Sequence, residues 1–185
     1  MFTNIIDDNI KLRLLFLKDA EELHKLTVDS KEYLRKWMGW VDHNIEDINN
    51  TKEFIKKSLN NFINSDGYPE AIAIIYKDMI AGIIGFNHVD KRNKYAVIGY
   101  WLGEKYQNKG IMTKVTKCLI DISFNELMLN RIEIRVASEN NKSKKIPEKL
   151  GFKIEGEIKE AEYLYDHYVN HIIYGIVAKD WKLNV

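Results

Sequence analysis

The first apolar and polar residues of the chain alternate with the period of a strand. Ile10, Leu12 and Leu14 are separated by the charged Lys11 and Arg13, a pattern typical of a strand with one buried face. A helical pattern follows, in which apolar residues recur at intervals of three and four. It is predicted to begin with an N-cap at Asp19 and to continue through Leu23, Leu26, Tyr33, Leu34 and Trp37.

A second helical pattern spans about Asp47 to Ile63, and the turn residues Ser65, Asp66 and Gly67 end it. The pattern then predicts three strands, of which the first two are joined by a tight turn at Lys77-Asp78; these strands are Ala71–Tyr76, Ile80–Val89 and Tyr95–Leu102. The next predicted helix has its apolar residues at Ile111, Val115, Leu119 and Ile122.

The last predicted elements complete a mixed α/β layer. They are a strand at Arg131–Ala137, a short helix at Asn141–Leu150 that Gly151 stops, and strands at Phe152–Glu157 and Tyr168–Val177. The sequence contains no repeat and no Ser/Gly-rich linker. We therefore expect a single domain that spans residues 1–185.

Composition narrows the class of protein. Of 185 residues, 45% are hydrophobic and 11% aromatic, which supports a sizeable core and excludes a disordered chain. Lys and Arg number 28 against 27 Asp and Glu, and this balance argues against a general binder of nucleic acid or membrane surfaces. The single cysteine, Cys118, excludes an internal disulfide and a cysteine-based zinc cage, and its apolar neighbours favour a core-filling role. Because the sequence shows neither a signal peptide nor an apolar run of about 20 residues, we expect a soluble, cytoplasmic protein.

The segment with the most distinctive chemistry is Ile98–Val115, which passes from a strand through a short loop directly into a helix. Such a junction directs several backbone N–H groups and the positive end of the helix dipole at one point, which suits a phosphate. Gly110 allows close approach of a ligand, while Gln107, Lys109 and Lys114 add donors and charge. The alternative is that Gly110 only opens a helix and that the lysines form a solvated face.

Gln107-Asn108-Lys109-Gly110-Ile111-Met112 resembles the Q/R-x-x-G-x-G/A pyrophosphate loop of the GCN5-related N-acetyltransferases (GNAT). The resemblance to the RimJ/RimL-type branch extends over nearly the whole chain, through L-R-L-L at Leu12–Leu15, I-G-Y-W-L at Ile98–Leu102, N-x-x-S from Asn140 to Ser143, E-K-L-G-F at Glu148–Phe152 and E-G at Glu155–Gly156. Two residues depart from the family pattern: Met112 replaces a small residue, and Val97 replaces a glutamate.

The resemblance implies an α/β (α+β) GNAT fold, with a central mixed, mostly antiparallel sheet of about seven strands flanked by helices. Splayed strands of that sheet would hold acetyl-CoA as co-substrate, with no metal. The pyrophosphate would bind the loop formed by Gln107, Asn108, Lys109, Gly110, Ile111, Met112 and Thr113. The pantetheine arm would pair with the strand residues Tyr100, Trp101 and Leu102, and Asn140 would fix it from the other side.

The resemblance also implies the catalytic roles. Ser143 would be the acid that protonates the CoA thiolate, although a serine near the start of a short helix also suits an N-cap. Tyr100, Tyr163 and Tyr165 remain alternative acids. Glu162 would be the base, although it and its neighbours Glu155, Glu157 and Glu160 also suit an exposed strand edge. His88 is a further candidate base, with a hydrogen-bonded structural role as its alternative.

Three other sets of residues indicate a function less strongly than these motifs do. His167 and His171 are four apart, but the surrounding β-branched residues favour a strand and make a metal site improbable. Trp37, Met38 and Trp40 either line an acceptor cleft or pack in the core. Pro147 lies inside the predicted short helix, where we assign it no function.

The resemblance implies transfer of acetyl from acetyl-CoA to a primary amine, with the N-terminal α-amine of a protein, of ribosomal-protein type, as the expected acceptor. A small amine such as a polyamine, amino acid or aminoglycoside is the alternative acceptor. A non-catalytic acyl-CoA-binding module is the alternative class. A homodimer is expected because the strand Tyr168–Val177 is apolar. No nucleic-acid or membrane partner is expected.

Overall fold

The computed structural model describes residues 3–181. Its strands are β1 (Thr3–Asp7), β2 (Ile10–Leu14), β3 (Ile72–Tyr76), β4 (Met79–Asp90), β5 (Tyr95–Leu102), β6 (Arg131–Ala137), β7 (Lys153–Leu164) and β8 (His167–Val177). Its helices are α1 (Ala20–Asp29), α2 (Lys31–Leu34), α3 (Val41–Glu46), α4 (Ile48–Asn64), α5 (Ile111–Asn125), α6 (Asn141–Lys149) and α7 (Ala178–Trp181). Residues 1, 2 and 182–185, which the single-domain prediction includes, lie outside the described residues.

The strands form one eight-stranded sheet in the order β1-β2-β3-β4-β5-β6-β8-β7. The pairs β1–β2, β2–β3, β3–β4, β6–β8 and β7–β8 are antiparallel, and β5–β6 is parallel. The predicted mixed, mostly antiparallel sheet is confirmed, with one strand more than the expected seven. The additional strand is β1, whose residues are exposed or half-buried and so show no alternation of buried apolar positions.

The chain divides into two compact units. The first contains the described residues up to Phe86 together with Tyr100–Val115, and the second contains Asn87–Gly99 and the described residues from Thr116 onward. The single domain over residues 1–185 stays a prediction. None of the helices within residues 3–181 has both the length and the apolar character that a membrane crossing requires.

The core of the first unit is formed by apolar residues of its strands and helices. Fully buried examples are Leu12, Leu15, Leu34, Ile55, Ile72, Ile74 and Ile84. The tight turn between β3 and β4 is confirmed: Lys77 and Asp78 have φ of 49° and 64°, as a type I′ hairpin requires, and Tyr76 pairs with Met79. Burial of this apolar set stabilises the unit at roughly 25 cal/mol per Å² removed from water.

Asp19 is the N-cap residue of α1, as predicted, but its side chain makes no capping hydrogen bond to the helix. Asp19 is almost fully buried, and its carboxylate accepts hydrogen bonds from the Phe16 N–H at 2.8 Å and from Arg13 at 2.6 and 3.0 Å. The ion pair with Arg13 uses the carboxylate oxygens that a cap would need. The helical stretch also breaks at Ser30, so that Leu34 lies in a separate helix and Trp37 lies outside both.

The ends of the second predicted helix are confirmed. Asp47 caps α4 by accepting a hydrogen bond from the Asn49 N–H at 2.8 Å. At the other end the Gly67 N–H donates to the Phe62 carbonyl at 3.0 Å. The six-residue helix α3, between the two predicted helices, was not predicted because one and a half turns are too short to show a period.

The second unit contains the parallel pair β5–β6 and the antiparallel hairpin β7–β8. Here the predicted stop of α6 at Gly151 is confirmed, since Gly151 has a φ of 79° and its N–H donates to the Glu148 carbonyl at 3.2 Å. Strand β7 begins one residue later than predicted and ends seven residues later, at Leu164; this extension was not predicted because nearly all residues of β7 are exposed and show no alternation of buried positions. As the last strand of the sheet it is an edge strand.

Candidate active site

The loop before α5 has two residues in the left-handed region. Asn108 has a φ of 59° and Gly110 a φ of 72°. Helix α5 begins at Ile111, and its first N–H groups have no acceptor within their own helix, because an α-helix leaves its first four donors unsatisfied internally. Together with the helix dipole, these donors make the loop suitable for an anion.

The space above Gly110 is open. A Cβ built at this position meets no heavy atom within 4 Å, and the residue is exposed. The glycine is therefore required by its backbone conformation, while the open space leaves room for a phosphate group against the main chain. The residues present fit a pyrophosphate at this loop. The departure at Met112 does not fill that space, because the Met112 side chain is buried, with 8% of its surface exposed.

The lysines near this loop already have partners. Lys114 forms an ion pair with Asp7 at 2.6 Å. The Lys109 ammonium donates to the Lys105 carbonyl at 2.8 Å, and the Lys105 ammonium lies 5.1 Å from the centroid of the Tyr106 ring. The anion site therefore depends first on the backbone N–H groups rather than on a cluster of lysines.

The end of β5 carries the residues predicted to hold the pantetheine arm, Tyr100, Trp101 and Leu102. Tyr100 and Trp101 are half-buried and Leu102 is buried. The Trp101 ring packs against the Trp40 ring, with centroids 5.7 Å apart. This contact places one of the three candidate acceptor-cleft residues beside the predicted pantetheine strand. Trp37 and Met38 are half-buried and lie outside the fully buried core.

In the second unit, the parallel pairing of β5 and β6 is short. Its register extends from Tyr95 opposite Arg131 to Ile98 opposite Ile134. Strand β6 continues to Ala137 and stays paired with β8, where Ala137 lies opposite His171. The splayed strands that the family resemblance implies stay a prediction.

Asn140 is the N-cap of α6. Its Oδ1 accepts a hydrogen bond from the Ser143 N–H at 3.1 Å. The alternative that Ser143 is the N-cap is therefore wrong, because Ser143 is the third residue of the helix and Asn140 already fills that role. Ser143 is half-buried. The structure thus joins two predicted site residues, Asn140 and Ser143, by a direct hydrogen bond.

The acidic residues of β7 have partners along the hairpin. Glu162 Oε2 lies 3.2 Å from His171 Nε2. Glu155 forms an ion pair with Arg131, and the Arg131 hydrogen bond lowers the pKa of the Glu155 carboxyl. Glu157 accepts a hydrogen bond from Asn170 at 2.8 Å. Both alternatives for Glu162 therefore remain compatible with its place on an edge strand.

Three other candidate acids and bases lie in the second unit, namely His88, Tyr163 and Tyr165. His88 is exposed, and its ring contacts the Tyr95 ring at a centroid distance of 5.4 Å. Tyr163 is 57% exposed and packs on Tyr168 at 4.9 Å. Tyr165 has a φ of 57° in the turn between β7 and β8. Within residues 3–181, no group of three or more His, Cys, Asp or Glu side chains is arranged to hold a metal ion.

Comparison with protein families identifies the chain. The model of the acetyltransferase (GNAT) domain matches residues 9–153. The chain belongs to the GNAT acetyltransferase family. It is an acetyl-CoA-dependent N-acetyltransferase, as the sequence motifs predicted, and its fold class is confirmed with it.

Two curated relatives have names of the ribosomal-protein type. The chain is 30% identical to the "Putative ribosomal N-acetyltransferase YdaF" of Bacillus subtilis (strain 168), with 98% of each chain covered. It is 27% identical to the ribosomal-protein-serine acetyltransferase of Escherichia coli (strain K12), with 88% of this chain and 89% of the relative covered. The resemblance to the RimJ/RimL-type branch is therefore confirmed.

Two solved structures place CoA ligands in the same fold. RimL, a ribosomal L7/L12 alpha-N-protein acetyltransferase in complex with coenzyme A, is 25% identical with a TM-score of 0.89, covering 95% of this chain and 98% of that chain. The microcin C7 self-immunity acetyltransferase MccE, in complex with acetyl-CoA and AMP, is 34% identical with a TM-score of 0.86, covering 93% and 94%. Their ligands belong to those proteins, and the residues of this GNAT chain that bind acetyl-CoA stay predictions.

Two contacts of this GNAT site were not predicted. Asp7 holds Lys114, and His171 contacts Glu162. Asp7 lies in the unpredicted strand β1, so no sequence signal indicated it. His171 contacts Glu162 only because β7 contains two extra residues between Ile158 and Glu162, and the sequence pattern of β7, which does not alternate, gives no signal of this register.

Proposed function

We propose that this GNAT enzyme transfers acetyl from acetyl-CoA directly to the N-terminal α-amine of a protein. The main support for a protein N-terminus as the acceptor is the similarity to YdaF across 98% of both chains, because that relative is named for a ribosomal substrate. The ribosomal-protein-serine acetyltransferase supports the same acceptor class.

In this proposal the acetyl-CoA pyrophosphate binds the backbone N–H groups of residues 107–113. The open space above Gly110 supports this placement. The pantetheine arm pairs with the main chain of Tyr100–Leu102 in the manner of an added strand. Asn140 reaches the arm through its side-chain amide, while its Oδ1 keeps the helix cap to Ser143.

The proposed chemistry needs one base and one acid, and no covalent enzyme intermediate. An alkyl ammonium has a pKa of roughly 8 to 10.5 and must first lose a proton, which Glu162 accepts and passes to solvent. The neutral nitrogen then bonds to the thioester carbon as the carbon–sulfur bond breaks. Ser143 protonates the departing thiolate and is reprotonated by the second proton that leaves the nitrogen. The products are the amide and the CoA thiol.

A small amine is the second candidate acceptor. The chain is 26% identical to the spermidine N(1)-acetyltransferase of Escherichia coli (strain K12), covering 89% of this chain and 83% of that relative. The proteins of this family therefore include both acceptor classes at similar identity, and the two candidates differ in whether the acceptor is a peptide terminus or a free polyamine.

The acceptor is tested by thiol release from acetyl-CoA with two peptides that begin with serine and alanine, and with spermidine. Both peptides contain an internal lysine, and the control for each is the same peptide with its N-terminus blocked by a formyl group. We expect release with the unblocked peptides at least about tenfold above the blocked ones. Preference for spermidine would replace the proposed acceptor with the small amine, and tight CoA binding without release by any amine would indicate a non-catalytic module.

The catalytic roles are tested with Ser143→Ala and Glu162→Gln. Each is expected to lower kcat by about a hundredfold, the usual contribution of one acid–base group. Because Asn140 caps α6, Ser143→Ala should leave the melting temperature unchanged. If both variants keep the wild-type dependence of kcat on pH, neither residue is the acid or the base.

We also propose a cytoplasmic location and a homodimer. Exposed apolar side chains on the β7–β8 hairpin support an interface, namely Ile154, Ile158, Tyr163 and Tyr168. Ile154→Lys places a charge on the most exposed of these side chains, and we expect it to shift the mass measured by sedimentation equilibrium from dimer to monomer. A wild-type protein that sediments as a monomer at micromolar concentration would contradict the homodimer.

A further inference from the structure

The hydrogen bond between Glu162 and His171 joins two residues that are nine positions apart, one on each strand of the β7–β8 hairpin. Glu162 Oε2 and His171 Nε2 are separated by 3.2 Å. The side chain of His171 is 19% exposed, while that of Glu162 is 39% exposed. The imidazole therefore lies mostly within the protein and the carboxylate extends toward solvent, and because an ionised carboxylate only accepts, Nε2 donates.

His171 lies where β6 ends. It is opposite Ala137, the last residue of β6, and the adjacent Ser138 N–H donates to the Asn170 carbonyl at 2.8 Å. From this point the chain leads directly to Asn140 and Ser143 at the start of α6. The sheet therefore holds His171 at the end of β6, and the chain that leaves β6 leads to the predicted acid, Ser143.

The β7 backbone is distorted just before Glu162. Ile158 lies opposite His171 and Glu162 lies opposite Val169, so that β7 contains two more residues than β8 over this interval. Within the bulge Glu160 has a φ of 49°, and its N–H donates to the Asn170 Oδ1 at 2.8 Å. A bulge of this kind redirects the side chains that follow it, and such bulges are frequent next to active sites.

We propose that His171 is a positioning residue for Glu162. This inference rests on the proposed role of Glu162 as the base. The Nε2–H holds Oε2, so that the other carboxylate oxygen, Oε1, faces the acceptor ammonium or an intervening water. The imidazole transfers no proton in this role, and it restricts the rotation of a side chain that otherwise moves freely on an edge strand. The bulge supplies the backbone direction and His171 fixes the carboxylate.

This role predicts a specific set of kinetic effects. His171→Ala lowers kcat by about ten- to a hundredfold, the range typical of losing an orienting partner, while the KM for acetyl-CoA stays within about twofold. His171→Gln retains an N–H donor and recovers at least half of the lost kcat. The matched control is His167→Gln, since His167 forms a comparable pair with Asp166 at 2.7 Å at the exposed tip of the same hairpin, and its kcat stays at the wild-type value.

The deciding experiment is a double-mutant cycle with Glu162→Gln, measured as thiol release from acetyl-CoA with a peptide that has an N-terminal serine. If His171 acts through Glu162, then His171→Ala has no further effect on kcat in the Glu162→Gln background. Equal losses in both backgrounds would overturn the positioning role and leave the base intact. A wild-type kcat for Glu162→Gln alone would instead overturn the base, and the positioning role with it. Melting temperatures of all variants exclude unfolding as the cause.

Discussion

The ammonium of Lys114 lies 2.6 Å from Oδ2 of Asp7, a residue 107 positions earlier in the chain. Lys114 is in the first turn of α5, beside the loop that suits a phosphate, and Asp7 is the last residue of β1. The hydrogen bond from Lys114 is the main reason that the pKa of the Asp7 carboxyl lies below its usual range, with a further contribution from the Asn9 N–H. A lysine expected to bind phosphate therefore has a protein carboxylate as its partner.

We predict that Lys114→Ala weakens acetyl-CoA binding by no more than about threefold, because the Lys114 ammonium is already paired with Asp7 and an exposed lysine adds little to the affinity. Asp7→Asn should release the ammonium and tighten binding by a similar factor at low salt, with the gain lost as ionic strength rises. Both effects are measurable by isothermal titration. A tenfold loss in Lys114→Ala would mean that Lys114 exchanges Asp7 for a phosphate when acetyl-CoA binds.

A second prediction concerns the charge that the site tolerates at Gly110. Asn and Asp have nearly the same shape, and both adopt the positive φ of 72° with less strain than other side chains. A carboxylate in the open space above the loop would repel the pyrophosphate, while a carboxamide would not. We expect Gly110→Asp to bind acetyl-CoA at least about tenfold more weakly than Gly110→Asn. Equal affinities of the two variants would place the phosphates elsewhere.

Asn140 allows its structural role to be separated from its proposed contact with pantetheine. Asn140→Ala removes the cap of α6 and should cost about 1 kcal/mol of stability. Asn140→Asp keeps an oxygen that can accept the Ser143 N–H, but it loses the amide donors and adds a negative charge. We expect Asn140→Asp to retain the wild-type melting temperature and to raise the KM for acetyl-CoA several-fold. An unchanged KM in this variant would leave Asn140 with the cap alone.

Elements specified by neighbouring residues were predictable from sequence. The hairpin at Lys77-Asp78 and the stop at Gly151 depend on backbone conformations that these few residues favour. Asp19 was not predictable in the same way, because the carboxylate that would cap α1 binds Arg13 on β2 instead. Strand β1 was missed for a related reason, since its five residues bury little and are held mainly by pairing with β2.

The same distinction between local and distant contacts applies to the candidate site. The loop at Gln107–Met112 is contiguous, so its motif identified the family before any tertiary contact was known. The partner of Glu162 was not predictable, because it depends on a two-residue bulge whose register brings His171 within 3.2 Å. The partner of Lys114 was not predictable because it lies in β1. Residues distant in sequence therefore determine the contacts of Glu162 and Lys114, and a contiguous motif does not show them.

The last prediction concerns the alkaline limit of stability, which Tyr174 should set in the second unit. Tyr174 is 1% exposed and its hydroxyl donates to Glu148 Oε1 at 3.0 Å. Burial and the Glu148 carboxylate raise the pKa of Tyr174 to about 12, whereas an unfolded tyrosine has a pKa of about 10. Below pH 10 both states keep the proton. Between pH 10 and 12 only the unfolded state releases it, so the free energy of unfolding falls as pH rises.

Tyr174→Phe should therefore remove this alkaline slope and lower stability at pH 7 by about 1 kcal/mol through the lost hydrogen bond. Glu148→Gln keeps an acceptor but removes the charge, so its slope should lie between those of the wild type and Tyr174→Phe. The free energy of unfolding of the wild type and both variants is measured with urea at pH 7 and at several pH values from 9 to 12. A wild-type slope in Tyr174→Phe would assign the alkaline loss to a different group, since the variant has no phenol at position 174 to ionise.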